Sequence, residues 1–162
     1  MKKVLFLAIL GAFLASCTMN SGKRIIGESA MIHVVEADLD FLSRIDTGAA
    51  VTSIHAVDLK VDSKSKDKEE HIGLPITFTT VTEGGIGKTL TTEIVGTKKV
   101  INSQGVEVRY VIELTLVYKG DENKIKVNLR DRSKMTYKLL IGRNWLQGDY
   151  MVDVEYKSRA EK

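Results

Sequence analysis

The sequence predicts an all-β domain, and three observations carry that reading. Apolar residues recur at every second position over long stretches, most clearly Val106, Val108, Tyr110, Ile112, Leu114 and Leu116. Runs rich in Thr, Val, Ile and Phe are separated by turns bearing Gly and Asn. After residue 16 no long stripe with a 3.6-residue period occurs, so helices have little to build on. The 162 residues, 43% hydrophobic and 28% charged, suffice for one domain with a buried core and argue against a disordered chain.

The N-terminal residues read differently. Lys2 and Lys3 precede an apolar run, Val4 to Phe13, broken only by Gly11, and Leu14-Ala15-Ser16-Cys17 follows. The run is shorter than the roughly 20 residues a membrane-spanning helix needs but suits the apolar region of a signal peptide. Leu14 to Cys17 resembles the bacterial lipobox, which implies a signal peptide over 1–16 and lipidation of Cys17. Residues 17–23, short and polar, then form a tether, and the protein is expected at the bacterial cell envelope, anchored to the membrane by lipid. Thr18, in place of Asp, favours the outer membrane facing the periplasm. Loss of residues 1–16 would leave the mature chain close to neutral, which gives no reason to expect an anionic partner.

The domain is expected over 24–157, with 158–162 as a tail. Met31–Val35 and Phe41–Ile45 read as short strands, and 55–61 alternates. The segments 74–81 and 90–95 flank the Gly-rich turn Glu83-Gly84-Gly85-Ile86-Gly87-Lys88-Thr89 as a β-hairpin. Ile125, Val127 and Leu129 alternate after the polar turn 120–123. Arg143 to Leu146 is the single helix start, and a short one. The charged, apolar-free segment 62–70 reads as a solvated loop, and no internal repeat is present.

Composition excludes several chemistries. One Cys rules out an intrachain disulfide and a multi-cysteine metal site, and three His without an H-E-x-x-H pair leave no zinc-protease signature. A net charge of +3 with 6% aromatic residues gives no nucleic-acid footprint. Gly87-Lys88-Thr89 ends like a phosphate loop, but Thr82 stands where that pattern needs Gly, and a strand follows where it needs a helix. His55 reads as a structural hydrogen-bonding residue rather than a metal ligand, and Trp145 as a core anchor. No metal and no cofactor is expected.

Two segments remain. Arg44-Ile45-Asp46-Thr47-Gly48-Ala49 runs an apolar strand into a carboxylate beside a glycine, and Leu139-Leu140-Ile141-Gly142-Arg143-Asn144 runs a second strand through a glycine into the short helix. Together they resemble the two signatures of retropepsin-like aspartic proteases. The resemblance extends to a bacterial branch labelled "ATP-dependent zinc protease" through Thr52-Ser53-Ile54-His55-Ala56, Gly105-Val106-Glu107-Val108-Arg109, Asp131-Arg132-Ser133-Lys134-Met135 and Trp145-Leu146. It spans roughly residues 24–154. The zinc of that label finds no ligand set in this chain, and its ATP no phosphate loop. Ala50 stands where retroviral relatives often carry a second Asp, which leaves Arg143 without its usual ion-pair partner.

The resemblance implies a partly closed acid-protease barrel with one short C-terminal helix. It also implies an aspartic endopeptidase with Asp46, Thr47 and Gly48 catalytic, and Gly142, Arg143 and Asn144 supporting them. Ala49 and the turn Gly84, Gly85, Ile86 and Gly87 would contact a peptide or protein substrate, the turn closing over it. Carboxylate-driven hydrolysis uses two acids sharing a proton, and this chain has one Asp-Thr-Gly, so a second Asp46 must come from a second copy on a two-fold axis. The alternatives are a non-catalytic envelope binding module on the same fold and, remotely, a nucleotide binder through Gly84–Thr89.

Overall fold

A computed structural model of the chain describes residues 22–102 and 105–157. The expected signal peptide, the lipidation site Cys17, most of the tether and the tail 158–162 lie outside the described residues. The first strands are β1 (Arg24–Ile26), β2 (Ser29–Val34), β3 (Leu39–Ile45), β4 (Thr52–His55) and β5 (Val57–Val61). After a 3-10 turn at Lys68–His71 come β6 (Pro75–Val81), β7 (Gly87–Glu93), β8 (Gly96–Asn102), β9 (Gly105–Tyr118) and β10 (Asp121–Arg130). The chain closes with β11 (Leu139–Ile141), α1 (Arg143–Leu146) and β12 (Tyr150–Val152). The fold is all-β with one short helix near the C-terminus, as the alternating pattern predicts.

Six strands form a closed ring in the order β10-β4-β11-β3-β2-β9, sealed by the β9–β10 hairpin, and β8 extends the free edge of β9. Closure removes the strand edges that an open sheet would expose. The ring is filled by period-2 side chains: Ala30, Ile32 and Val34 from β2, Phe41 and Ile45 from β3, Ile112, Leu114 and Leu116 from β9, and Val127 and Leu129 from β10. Ser43 also points inward on β3 and satisfies its hydroxyl on the Phe41 carbonyl at 3.1 Å. Burying each of the larger side chains contributes roughly 1.5–3 kcal/mol.

Two smaller sheets flank the ring. β5, β6 and β7 form an antiparallel three-stranded sheet, and β1 pairs with β12 in parallel, which brings the two ends of the domain together. Trp145 of α1 stacks on Tyr150 of β12 with ring centroids 4.3 Å apart, and Tyr118 meets both edge-on. Arg24 lies over the Tyr150 ring and pairs with Asp121, so β1 is tied to β10 as well. The segment 62–70, expected as a solvated loop, carries one turn of 3-10 helix capped by Asp67, whose side chain accepts from the Glu69 amide.

Four strands had no clear signal in the sequence. β1 and β12 are three residues each, too short for periodicity. β8 has Lys at two central positions. All four residues of β4 are buried, three of them polar, which defeats an apolar-polar alternation. β4 matters most, because it carries the floor of the site.

Candidate active site

β3 delivers Asp46 directly off its last residue, Ile45, and the Asp46 amide donates to the Ile141 carbonyl at 2.9 Å. β11 therefore lies alongside β3, parallel to it, and is also paired antiparallel with β4. The turn 46–51 leaves β3 on one side of β11 and returns as β4 on the other. One strand thus threads between the two arms of the loop that carries the carboxylate.

The loop holds its own acid. Gly48 and Ala49 both donate main-chain N–H groups to Oδ1 of Asp46, at 2.8 and 3.2 Å. One carboxylate oxygen is fixed by the chain, and Oδ2 is not engaged by that turn. Gly48 serves close approach and not a left-handed backbone: a Cβ there would stand 3.1 Å from Oδ1 and press on the carboxylate, and its φ is not positive. Thr47 is exposed at the apex, where it lines a recess of about 330 Å³ with Lys23, Arg143, Gln147 and Tyr150 among others.

Gly142, Arg143 and Asn144 brace this turn and the start of β4. The Gly142 amide donates to the Thr52 hydroxyl at 3.1 Å, and a Cβ on Gly142 would meet Val51 C at 2.7 Å and Thr52 N at 2.9 Å. Arg143 donates its amide to the Ala49 carbonyl at 2.8 Å, and its Nη1 reaches the carbonyls of Thr47 and Gly48, each at 3.0 Å. Those carbonyls take the place of the missing acidic partner at Ala50. Asn144 accepts from the Thr52 amide and hydroxyl at 2.8 and 3.0 Å and donates to the Lys126 carbonyl at 2.7 Å. The Thr52 hydroxyl thus donates to one residue of the brace and accepts from another.

The Gly-rich turn is placed elsewhere. Glu83, at its start, accepts from the amides of Leu42 and Lys138 at 3.2 and 2.7 Å, which docks the turn at the end of β11 remote from Gly142. Leu42 lies four residues before Asp46 on β3, about 13 Å at the usual strand rise. Glu83 thus docks the base of the turn on β3 and on the residue before β11, and no hydrogen bond joins Gly84–Gly87 to Asp46 among the described residues. The Glu83 carboxylate satisfies two main-chain donors, Leu42 on β3 and Lys138 just before β11. Gly87 opens β7, so no helix N-terminus follows Lys88.

Two buried arginines lie behind the brace, and one of them, Arg132, feels the charge of Asp46. Arg132 is only 5% exposed, and no carboxylate lies within 4.0 Å of it among the described residues. Burial pulls its guanidinium below the usual value, Arg130 and Arg109 add to that, and the charge of Asp46 opposes it. It nevertheless stays protonated, as arginine does. Arg109 is buried against Glu107 at 2.6 Å and donates to the side-chain Oδ1 of Asn128 at 3.3 Å. The Arg109 hydrogen bond holds the Glu107 carboxyl below its usual range. Asn128 in turn donates to the Thr52 carbonyl at 2.8 Å, linking β9 and β10 to the brace. Ser53, its register partner on β4, keeps a buried hydroxyl without a hydrogen-bond partner among the described residues. Arg109, Arg132 and Ser53 do fall in the motif matches, which was the signal available.

His55 bonds through Nδ1 to the Arg132 amide at 2.9 Å. Burial pulls its pKa down, and Asp131 works against that. Among the described residues no three His, Cys, Asp or Glu side chains converge to hold a metal ion.

Known proteins fit this geometry. A solved protein of unknown function (DUF785) from Legionella pneumophila superposes with a TM-score of 0.68 at 27% identity, over 84% of this chain and 97% of that one. A probable alpha-L-glutamate ligase of Parasynechococcus marenigrum is 28% identical over 114 residues. That match takes in 70% of this chain and 24% of the relative, so the chain spans about a quarter of that protein's length. The family model described as RimB-like, retropepsin-like aspartic endopeptidase RimB, matches residues 25–162. With its carboxylate turn, threaded strand and Gly-Arg-Asn brace, the chain belongs to this RimB-like, retropepsin-like family.

Proposed function

We propose that this protein is an aspartic endopeptidase that works as a homodimer, with Asp46 of each chain supplying one half of a catalytic dyad. The observation that carries the reading is the braced turn: Asp46 is held at Oδ1 by two amides while Gly142, Arg143 and Asn144 lock the turn from behind. Such rigidity suits a carboxylate that must meet its symmetry mate at about 3 Å, where like charges cannot both ionise. The ionised member takes a proton from water as the water oxygen attacks the peptide carbonyl. The protonated member hydrogen-bonds the carbonyl oxygen and stabilises the charge developing there. Collapse breaks the C–N bond, the amine leaves with a proton from the dyad, and a new carboxyl terminus remains.

Acidic peptides are the substrates we favour. Arg132 is a buried cation that feels the charge of Asp46, Arg109 is a second buried cation acting on Arg132, and a relative sharing this segment is named as a probable alpha-L-glutamate ligase. We further propose, from the lipobox resemblance at Leu14 to Cys17, that the protein works at the cell envelope on a lipid anchor, with the domain facing the periplasm.

Asp46→Asn tests the mechanism. Asn keeps the acceptor for Gly48 and Ala49 but cannot act as a base, so cleavage of a peptide library should fall by about 10²–10⁴-fold or more with the fold intact. Excess mutant should poison the wild type through dead heterodimers, and activity should fall on dilution. Full activity in excess mutant, or activity of Asp46→Asn alone, would refute the dimeric dyad. Equal cleavage of acidic and neutral peptides would refute the substrate class alone.

A further inference from the structure

We propose that His55 is a positioning residue for this site: its neutral imidazole holds the main chain of Arg132, and through it the Arg132 guanidinium, in the region of Asp46, and a proton taken up by His55 lets that cation go. The kinetic side of this rests on the endopeptidase reading of Asp46; the structural side stands without it.

His55 ends β4 and is 3% exposed. It grips both ends of the loop 131–138: Nδ1 accepts from the Arg132 amide at 2.9 Å, and its own amide donates to the Lys138 carbonyl at 2.7 Å. The loop between is organised around two cations. Lys138 Nζ donates to the carbonyls of Arg132, Ser133 and Met135, and Arg132 Nε donates to the Tyr137 carbonyl at 3.0 Å. With no carboxylate within 4.0 Å among the described residues, the direction of the Arg132 guanidinium depends on where this main chain is held.

Acceptance at Nδ1 requires the neutral tautomer with its proton on Nε2. On protonation Nδ1 becomes a donor facing another donor, and that bond cannot persist. An alternative partner is already in place, since Asp131 Oδ1 lies 3.8 Å from Nδ1. The charged groups around His55 can be named element by element. Arg132 and Lys138 face it from the loop, Arg130 is its register partner on β10, and Asp131 is the nearest carboxylate. Glu83 is engaged on the Leu42 and Lys138 amides, and β6, packed on β4, carries no titratable side chain over Pro75–Val81. A third cation beside Arg132 and Lys138, with a carboxylate on offer to one side, moves the imidazole toward Asp131 and away from the Arg132 amide. Burial keeps His55 neutral to below the ordinary histidine value near 6.5, so the release falls on the acid side of it.

Nitrogen-resolved NMR on the folded domain in both wild type and Asp46→Asn reads the structural side apart from catalysis. The expected result is an Nε2–H imidazole at neutral pH, and an Arg132 amide signal that moves with the same midpoint as His55 in both proteins. Kinetics reads the rest. His55→Ala should lower kcat/KM by about tenfold to a hundredfold, the scale of a small misplacement near the reacting atoms. His55→Asn, whose Oδ1 sits where Nδ1 was, should recover most of that loss and carry activity to lower pH because the titrating group is gone. His55→Gln, with its oxygen at the Nε2 position, should not recover it. An Arg132 amide indifferent to His55 titration, Asn and Gln variants that behave alike, or an acid limb identical in wild type and His55→Asn would each overturn the proposal. If His55→Ala fails to fold, the contrast between Asn and Gln still decides. Activity surviving in Asp46→Asn would instead strike the endopeptidase reading and leave the NMR result standing.

Discussion

Two glycine-bearing turns of this molecule, 84–87 and the junction at Gly142, resemble each other as sequence and differ in what holds them. Gly85 has φ near +83° and open space around it, with nothing within 4 Å of a Cβ built there. Gly142 is extended, and a Cβ on it would strike three main-chain atoms at 2.7–3.0 Å. The first glycine supplies a backbone conformation that L residues rarely adopt. The second supplies room for one strand to pass behind a loop. The turn at 84–87 is closed on itself by Thr82, which bonds Gly85 and Ile86, and docked by the Glu83 carboxylate, whereas Arg143 and Asn144 tie the junction at Gly142 to the far-off Asp46 turn and Thr52 through amides, a guanidinium and a carboxamide. Precision concentrates at the second site, where a carboxylate needs it.

Substitutions can break this contrast, and Gly142→Ala should do most damage. Its methyl group meets main chain and not a flexible side-chain end, so β11 or the turn 49–52 must shift. The cost should lie at or above the upper end of the usual 1–3 kcal/mol for overpacking. Chemical denaturation would show it, or loss of soluble protein if the domain no longer folds. A near-neutral result would mean that β11 does not pass this close to the loop.

Asn144→Ala should come next. It strips the acceptor from the Thr52 amide and hydroxyl and a donor from the Lys126 carbonyl, and leaving such groups unpaired costs about 1–3 kcal/mol. Asn144→Asp sharpens the test, since it restores the acceptor for Thr52 but places a charge against the Lys126 carbonyl. Its melting temperature should fall between those of Ala and wild type.

Gly85→Ala should be the mildest. A left-handed φ costs an L residue about 1–2 kcal/mol, and no packing penalty adds to it. Stability should drop by that amount with kcat unchanged, because the turn is docked through Glu83 on Leu42, which lies about 13 Å before Asp46 at the usual strand rise. A loss of kcat larger than the loss of stability would restore the turn to a substrate-closing role and erase the contrast.

Much of the molecule follows from local pattern. The two-residue period of β2, β3, β9 and β10 is carried by neighbouring residues, and a strand with one apolar face has a single way to bury it. The Asp46 turn is equally local, since its carboxylate is held by amides two and three residues on. Gly142 is legible for a related reason: a glycine between an apolar strand and a helix start marks a close approach, even when the partner is unnamed.

What touches what across long separations was decided by the tertiary structure alone. β4 looks unremarkable as Thr-Ser-Ile-His, and its burial comes from being flanked by β10 and β11, which are distant in sequence. Arg143 reaches carbonyls 95 and 96 residues away in place of an acidic partner, and His55 grips an amide 77 residues on. Glu83 finds one donor on β3 and another in the loop before β11, 41 and 55 residues away. A side chain's type and its neighbours set the conformation it can hold. Which open donor or acceptor it meets depends on how the ring of strands closes, and that is a property of the whole chain.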